Sequence, residues 1–155
     1  MRRCDAIQPH GAHRSPRHAR RARGPRRNHK FYREIFGWGA IDIPLFEQNN
    51  LLLHTDDEVS QFILIAESDT PLTSPGFDHL GMLLDTRAEV DAILEKCERY
   101  QRKDDRVSIQ RYDDLDQGAV VVHAFYVKFL LPIWFDVQCM EWREGSEPAR
   151  KWSFG

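Results

Sequence analysis

FDHLGMLLDTRAEVDAILEKCERY, residues 77–100, decides the fold. Its first nine residues, FDHLGMLLD (77–85), read as a strand. Thr86 then caps a helix, and Glu89, three residues on, completes a T-x-x-E capping box. Val90, Ile93, Leu94 and Cys97 recur at helical spacing and form the inner stripe, so the helix runs to about Tyr100. Downstream, RVSIQRYDD (106–114), GAVVVHAFYVKF (118–129) and PIWFDVQCM (132–140) each read as a strand. This half is therefore strand–helix–strand–strand–strand.

Upstream, the same order returns without its first strand. KFYREIFGW (30–38) reads as the end of an amphipathic helix: Phe31 and Ile35, then Tyr32 and Phe36, fall four apart, and Gly37 stops it. AIDIPLF (40–46) is a strand whose Pro44 favours a sheet edge. NNLLLHT (49–55) is a second strand. QFILIAE (61–67) is a third, expected to be buried on both faces because its apolar run does not alternate. SDTPLTSPG (68–76), polar with two prolines, is the module boundary. The organisation is a first, incomplete module over 30–70, a second over 76–142 and a tail over 143–155.

The 155 residues suit one domain, or two small modules sharing a core, and 41% apolar residues with four Trp and nine Phe suffice for a packed interior. No apolar run approaches the roughly 18 residues of a membrane span, and no apolar stretch follows the N-terminal arginines as a secretory signal requires. Cys4, Cys97 and Cys139 show no C-x-x-C spacing, which argues against zinc-finger and thioredoxin-type sites and points to reduced thiols in a cytoplasm.

The net charge of −2 hides two unlike pieces. Residues 1–30 hold ten Lys or Arg and one acid, a balance of +9; residues 31–155 hold twelve and twenty-three, a balance of −11. Residues 1–29 carry nine Arg, four His and three Pro, with Ile7 the one aliphatic side chain larger than Ala. Such a segment cannot bury a face. It reads either as a disordered basic arm or as a non-native stretch of the kind a GC-rich gene yields when read out of frame. Nucleic-acid binding through it is disfavoured, because no aromatic is present to stack on bases; its prolines argue equally against a helical transit peptide.

His79 on one strand and Asp136 on another are the candidate chemistry. An imidazole and a carboxylate on two strands of one sheet can converge on a divalent metal at about 2.0–2.2 Å. Each also has an ordinary reading: His79 as a hydrogen-bonded core histidine, Asp136 as a solvated carboxylate. Strand alternation puts Asp136 on the face of Trp134 and Gln138, which makes those two candidate substrate contacts. Tyr126, two positions from both Ala124 and Lys128, either faces the pocket and donates to substrate or packs as an aromatic. His54 and His123 read as structural.

A βαβββ module occurring twice, with FYREIFGW closing the first helix, resembles the vicinal oxygen chelate superfamily of glyoxalase I, fosfomycin-resistance thiol transferases, extradiol dioxygenases and bleomycin-resistance proteins. The resemblance covers roughly residues 30–142. Near its end, family members commonly carry aromatic-Tyr-Val, a D-P-D-G turn, a hydrophobic residue and a metal-binding Glu. Phe125, Tyr126 and Val127 match, FLLP (129–132) replaces the turn, and Asp136 stands where the Glu falls. The resemblance implies an α+β fold of two βαβββ modules forming a cupped mixed sheet, although no strand is readable where the first should begin. It implies His79, Asp136 and Glu67 as metal ligands, Glu67 doubling as base, with Zn, Ni, Mn or Fe as the ion. Asp136, one methylene shorter than Glu, must sit closer to the ion or bind through water. The remaining ligand has no readable strand to sit on; His18 is nearest in spacing.

The implied function is metal-dependent chemistry on a small molecule with adjacent oxygens, of lyase, isomerase or dioxygenase type, in a cytoplasmic homodimer without membrane or nucleic-acid partners. The alternative is a metal-free protein that sequesters a small molecule, as in the bleomycin-resistance branch. The acidic body and an expected aromatic face of Phe125, Tyr126, Trp134 and Trp142 suit a cationic ligand.

Overall fold

Helix α1, Asn28–Phe36, stops where the sequence places its glycine. Gly37 adopts φ 75°, a left-handed conformation in which a Cβ is strained, and its N–H closes the last turn on the Arg33 carbonyl at 3.0 Å. The computed structural model describes residues 28–149 apart from Phe46, Leu72, Pro75 and Phe77. The expectations for residues 1–27, His18 among them, lie outside the described residues.

Three antiparallel strands follow: β1 (Gly39–Leu45), β2 (Gln48–His54) and β3 (Phe62–Ile65), in sheet order β1-β2-β3. Pro44 lies on an edge strand, as its missing N–H requires. Gly39 lies under a close approach: a Cβ there would run into the His54 ring, which would have to shift. His54 is structural, its Nδ1–H donating to the Asp56 carbonyl at 2.6 Å.

The second module is β4 (His79–Leu84), α2 (Arg87–Gln101), β5 (Ser108–Arg111), β6 (Leu115–Asp116), β7 (Val120–Lys128) and β8 (Trp134–Trp142). The capping box forms as its sequence demands: Thr86 accepts from the Glu89 N–H, and Glu89 accepts from the Thr86 N–H. The sheet order is β4-β8-β7-β5, with β6 pairing β7. β4 runs parallel to β8 and the other pairs are antiparallel, so the sheet is mixed. The expected strand over 106–114 is shorter, and the brief β6 was not anticipated. The α+β, two-module expectation holds for the described residues.

One face of the second sheet is dry. Phe125 and Val127 of β7 and Phe135, Val137 and Cys139 of β8 are buried there with Val90 and Cys97 of α2. Helix α1 joins this core although it belongs to the first module. Phe31 packs on Phe129 with ring centres 4.6 Å apart, Tyr32 and Trp38 pack on Phe135 at 5.6 Å, and the buried Tyr32 hydroxyl donates to the Phe129 carbonyl at 2.8 Å. Burial holds that phenol well above its ordinary pKa.

The third strand departs from expectation. Phe62 is 58% exposed and Leu64 40%, so β3 is not buried on both faces. An apolar run is buried only if neighbours cover it, and among the described residues β3 pairs with β2 alone.

Candidate functional site

The second face of the same sheet forms the cup. Alternation along β8 sends Phe135 and Val137 to the dry side and Trp134, Asp136 and Gln138 to the other. Register lines up the rest: Gly81 of β4 stands opposite Asp136, Asp136 opposite Tyr126, and Tyr126 opposite Gln110 of β5. Gly81 has no side chain, and the Gln138 amide lies over it, 3.5 Å from where a Cβ would stand.

His79 and Asp136 meet there, with His79 Nε2 3.6 Å from Asp136 Oδ2. Asp136 is 5% exposed, and its Oδ1 is buried without a hydrogen-bond partner. Burial raises the Asp136 pKa, while the neighbouring His79 and the Tyr126 hydroxyl draw it back down. The Tyr126 phenol is raised in turn, first by burial and then by the Asp136 charge. Tyr126 meets His79 edge-on at 5.0 Å and Tyr112 at 5.1 Å, so it faces the cup rather than the core.

A cleft of about 530 Å³ opens beside this pair. Asp136 and Gln138 form its floor, with apolar contributions from Val122, Ala124 and Met140; Tyr112, Asp113, Leu115 and Gln117 form a rim. No lysine or arginine lines it among the described residues. Trp134 lies at the far end of the same face, where the Lys128 ammonium sits 4.6 Å from its ring centre.

The donor set fits a divalent ion in part. Two ligands about 2.0–2.2 Å from a common ion lie roughly 3–3.5 Å apart, close to the 3.6 Å observed, and a buried carboxylate oxygen lacking a donor is what a cation satisfies. Glu67 does not join them. It is exposed beyond the end of β3, and no group of three His, Cys, Asp or Glu able to hold a metal occurs among the described residues. The reason is topological: β3 belongs to the other sheet, where among the described residues it pairs with β2 alone.

Three features escaped the sequence reading. Tyr112 enters the cup because it sits two residues beyond Gln110, the register partner of Tyr126. The Lys128–Trp134 contact joins residues at the two ends of a hairpin. His123 lies between two carboxylates, of which Asp114 is nine residues away and hidden in a loop.

No protein-family model matches the chain, and no curated protein matches it. Solved structures do. The genomically encoded fosfomycin resistance protein FosX from Listeria monocytogenes is similar at a TM-score of 0.56 and 16% identity, covering 72% of this chain and 79% of that one. The same protein complexed with Mn(II) and sulfate has a TM-score of 0.54 at 16% identity, over 74% and 79%. Hypothetical protein SA1046 from S. aureus reaches 0.50 at 15% identity, over 70% and 81%. The fold is thus that of the fosfomycin resistance proteins, which are vicinal oxygen chelate proteins, and the resemblance drawn from the motifs holds at the level of the fold. Among the described residues, no helix is long and apolar enough to cross a membrane.

Proposed function

We propose that this chain binds a small molecule with two adjacent oxygens in the cup of its second sheet and acts on it with a divalent metal held by His79 and Asp136. The observation that carries this reading is the buried Asp136 carboxyl, with one oxygen beside an imidazole and the other without a donor. Zn, Ni, Mn and Fe are the candidate ions; the Mn(II) in the fold's FosX representative favours Mn. When bound, the metal supplies Lewis acidity toward the ligand's oxygens. The protein's own part is orientation and proton handling. Tyr126 stands beside Asp136, the Tyr112 hydroxyl donates to Gln110 Oε1 at 3.0 Å, Gln138 offers an amide beside Asp136, and Trp134 stands opposite His79 in the β4–β8 pair. The reaction class is lyase, isomerase or dioxygenase.

The ligand set is short by at least one donor, and the cup is open. A homodimer in which a second copy covers this face and donates a further ligand answers both needs. The test is metal content after chelation and refilling with each ion. Wild type should take up one equivalent per chain, and His79→Ala and Asp136→Asn should each lose it by at least about tenfold in affinity. Wild type without stoichiometric metal sinks the reading.

One observation favours a second reading, metal-free binding of a cationic or neutral aromatic molecule. Asp113 and Asp136 are the charged groups lining the cleft, beside two tyrosines. Binding that persists in EDTA and weakens in Asp113→Asn supports sequestration over catalysis.

A further inference from the structure

The rim of the cleft is anchored from behind the sheet. Four positions of one segment, Tyr112, Asp113, Leu115 and Gln117, line the cleft, while Asp114 between them turns the other way. There Asp114 Oδ1 meets His123 Nδ1 at 2.6 Å, and Glu141 Oε2 meets His123 Nε2 at 3.0 Å. The His123 side chain is only 6% exposed. Both carboxylates lie within ion-pair distance but off the ring N–H directions, so the attraction is between charges rather than through aligned hydrogen bonds. From α2, Arg87 reaches the second Asp114 oxygen at 2.9 Å and Asp91 at 4.0 Å. From β8, Glu141 and the buried Cys139 complete the surroundings of the imidazole.

We propose that His123 is a positioning residue for the binding cleft: its imidazolium clamps Asp114 and Glu141 together and so holds the 112–117 rim in place. The chemistry is asymmetric between the two protonation states. Imidazolium puts a positive charge between the two carboxylates, whereas neutral imidazole carries none. On deprotonation both carboxylates stand 3.0 Å or less from an uncharged ring, with no counter-charge between them. Arg87 still holds Asp114, but through an exposed pair of the kind that contributes little by itself.

The direction of pH dependence follows. Asp114, then Glu141, raise the His123 pKa above its ordinary 6.5, partly opposed by burial. A group whose folded pKa is raised stabilises most fully below its unfolded value and loses that contribution as pH rises through the folded one. The rim is therefore clamped below the ordinary histidine value and released as pH rises through the raised His123 value. This inference goes beyond the proposed function and does not need a metal or a substrate.

Hydrogen exchange over residues 112–118, corrected for the intrinsic pH dependence of exchange, tests it on the intact protein. Wild-type protection should fall by about tenfold between pH 6 and pH 9, the scale of one charge-assisted contact. His123→Asn, which carries no charge at any pH, should show the low-protection behaviour throughout. Arg87→Gln should keep the pH dependence, because the clamp survives it. Equal protection in wild type and His123→Asn, or an unchanged pH dependence in that variant, overturns the proposal. If His123→Asn fails to fold, the His123 ring resonances of wild type decide: a midpoint above 6.5 that drops in Asp114→Asn supports the clamp, and a midpoint at or below the free value refutes it. Loss of metal binding in other variants leaves both readouts untouched, so the two readings fail separately.

Discussion

Strands β8 and β3 close their respective modules, each follows a hairpin, and each is rich in apolar residues, yet their fates differ. β8 lies between β4 and β7, its Phe135, Val137 and Cys139 are buried, and its carboxylate Asp136 is held against His79. β3 has β2 on one side, its Phe62 and Leu64 face solvent, and the carboxylate just past its end, Glu67, stands exposed and away from the site. The difference teaches that a neighbouring strand, more than a strand's own composition, makes both a core and a site. The parallel partner β4 buries one side of Asp136 and supplies the imidazole in the same stroke.

The largest way to break this comparison is in the dry core. Phe135→Ala should cost about 3–5 kcal/mol in chemical denaturation, since the ring packs on Tyr32, Phe36 and Trp38. A cost under about 1 kcal/mol means that α1 does not dock on the second module.

A smaller effect, visible as a slope, sharpens the carboxylate side of the comparison. Asp136 has its folded pKa raised by burial, so the metal-free protein should lose stability as pH rises from the ordinary carboxylate range through that raised value. Asp136→Asn should flatten this slope. Denaturation midpoints of the chelated protein between pH 4 and pH 8 measure it; identical slopes in wild type and Asp136→Asn contradict the burial argument.

The smallest effect belongs to the exposed strand. Phe62→Thr should change stability by no more than about 0.5 kcal/mol, in contrast to Phe135, because the ring is already 58% exposed. A loss comparable to that of Phe135→Ala shows that in solution β3 is covered, by another part of the chain or by a second copy.

Local chemistry was legible in the residues. The Thr86–Glu89 box, the Gly37 stop, the edge position of Pro44 and the shared face of Trp134, Asp136 and Gln138 all follow from rules that act over a few residues, since caps, left-handed turns and strand alternation need no partner from elsewhere. The motifs around His79 and Asp136 also pointed to the fold found in the solved structures. What only the tertiary structure decided involves neighbours far apart in the chain: that α1 packs behind the second sheet, that β3 is exposed, that Glu67 stays away from His79 and Asp136, and that His123 is clamped between Asp114 and Glu141. Burial and electrostatic partnership are properties of space around a side chain, and the order of residues specifies that space only after the strands have chosen their neighbours.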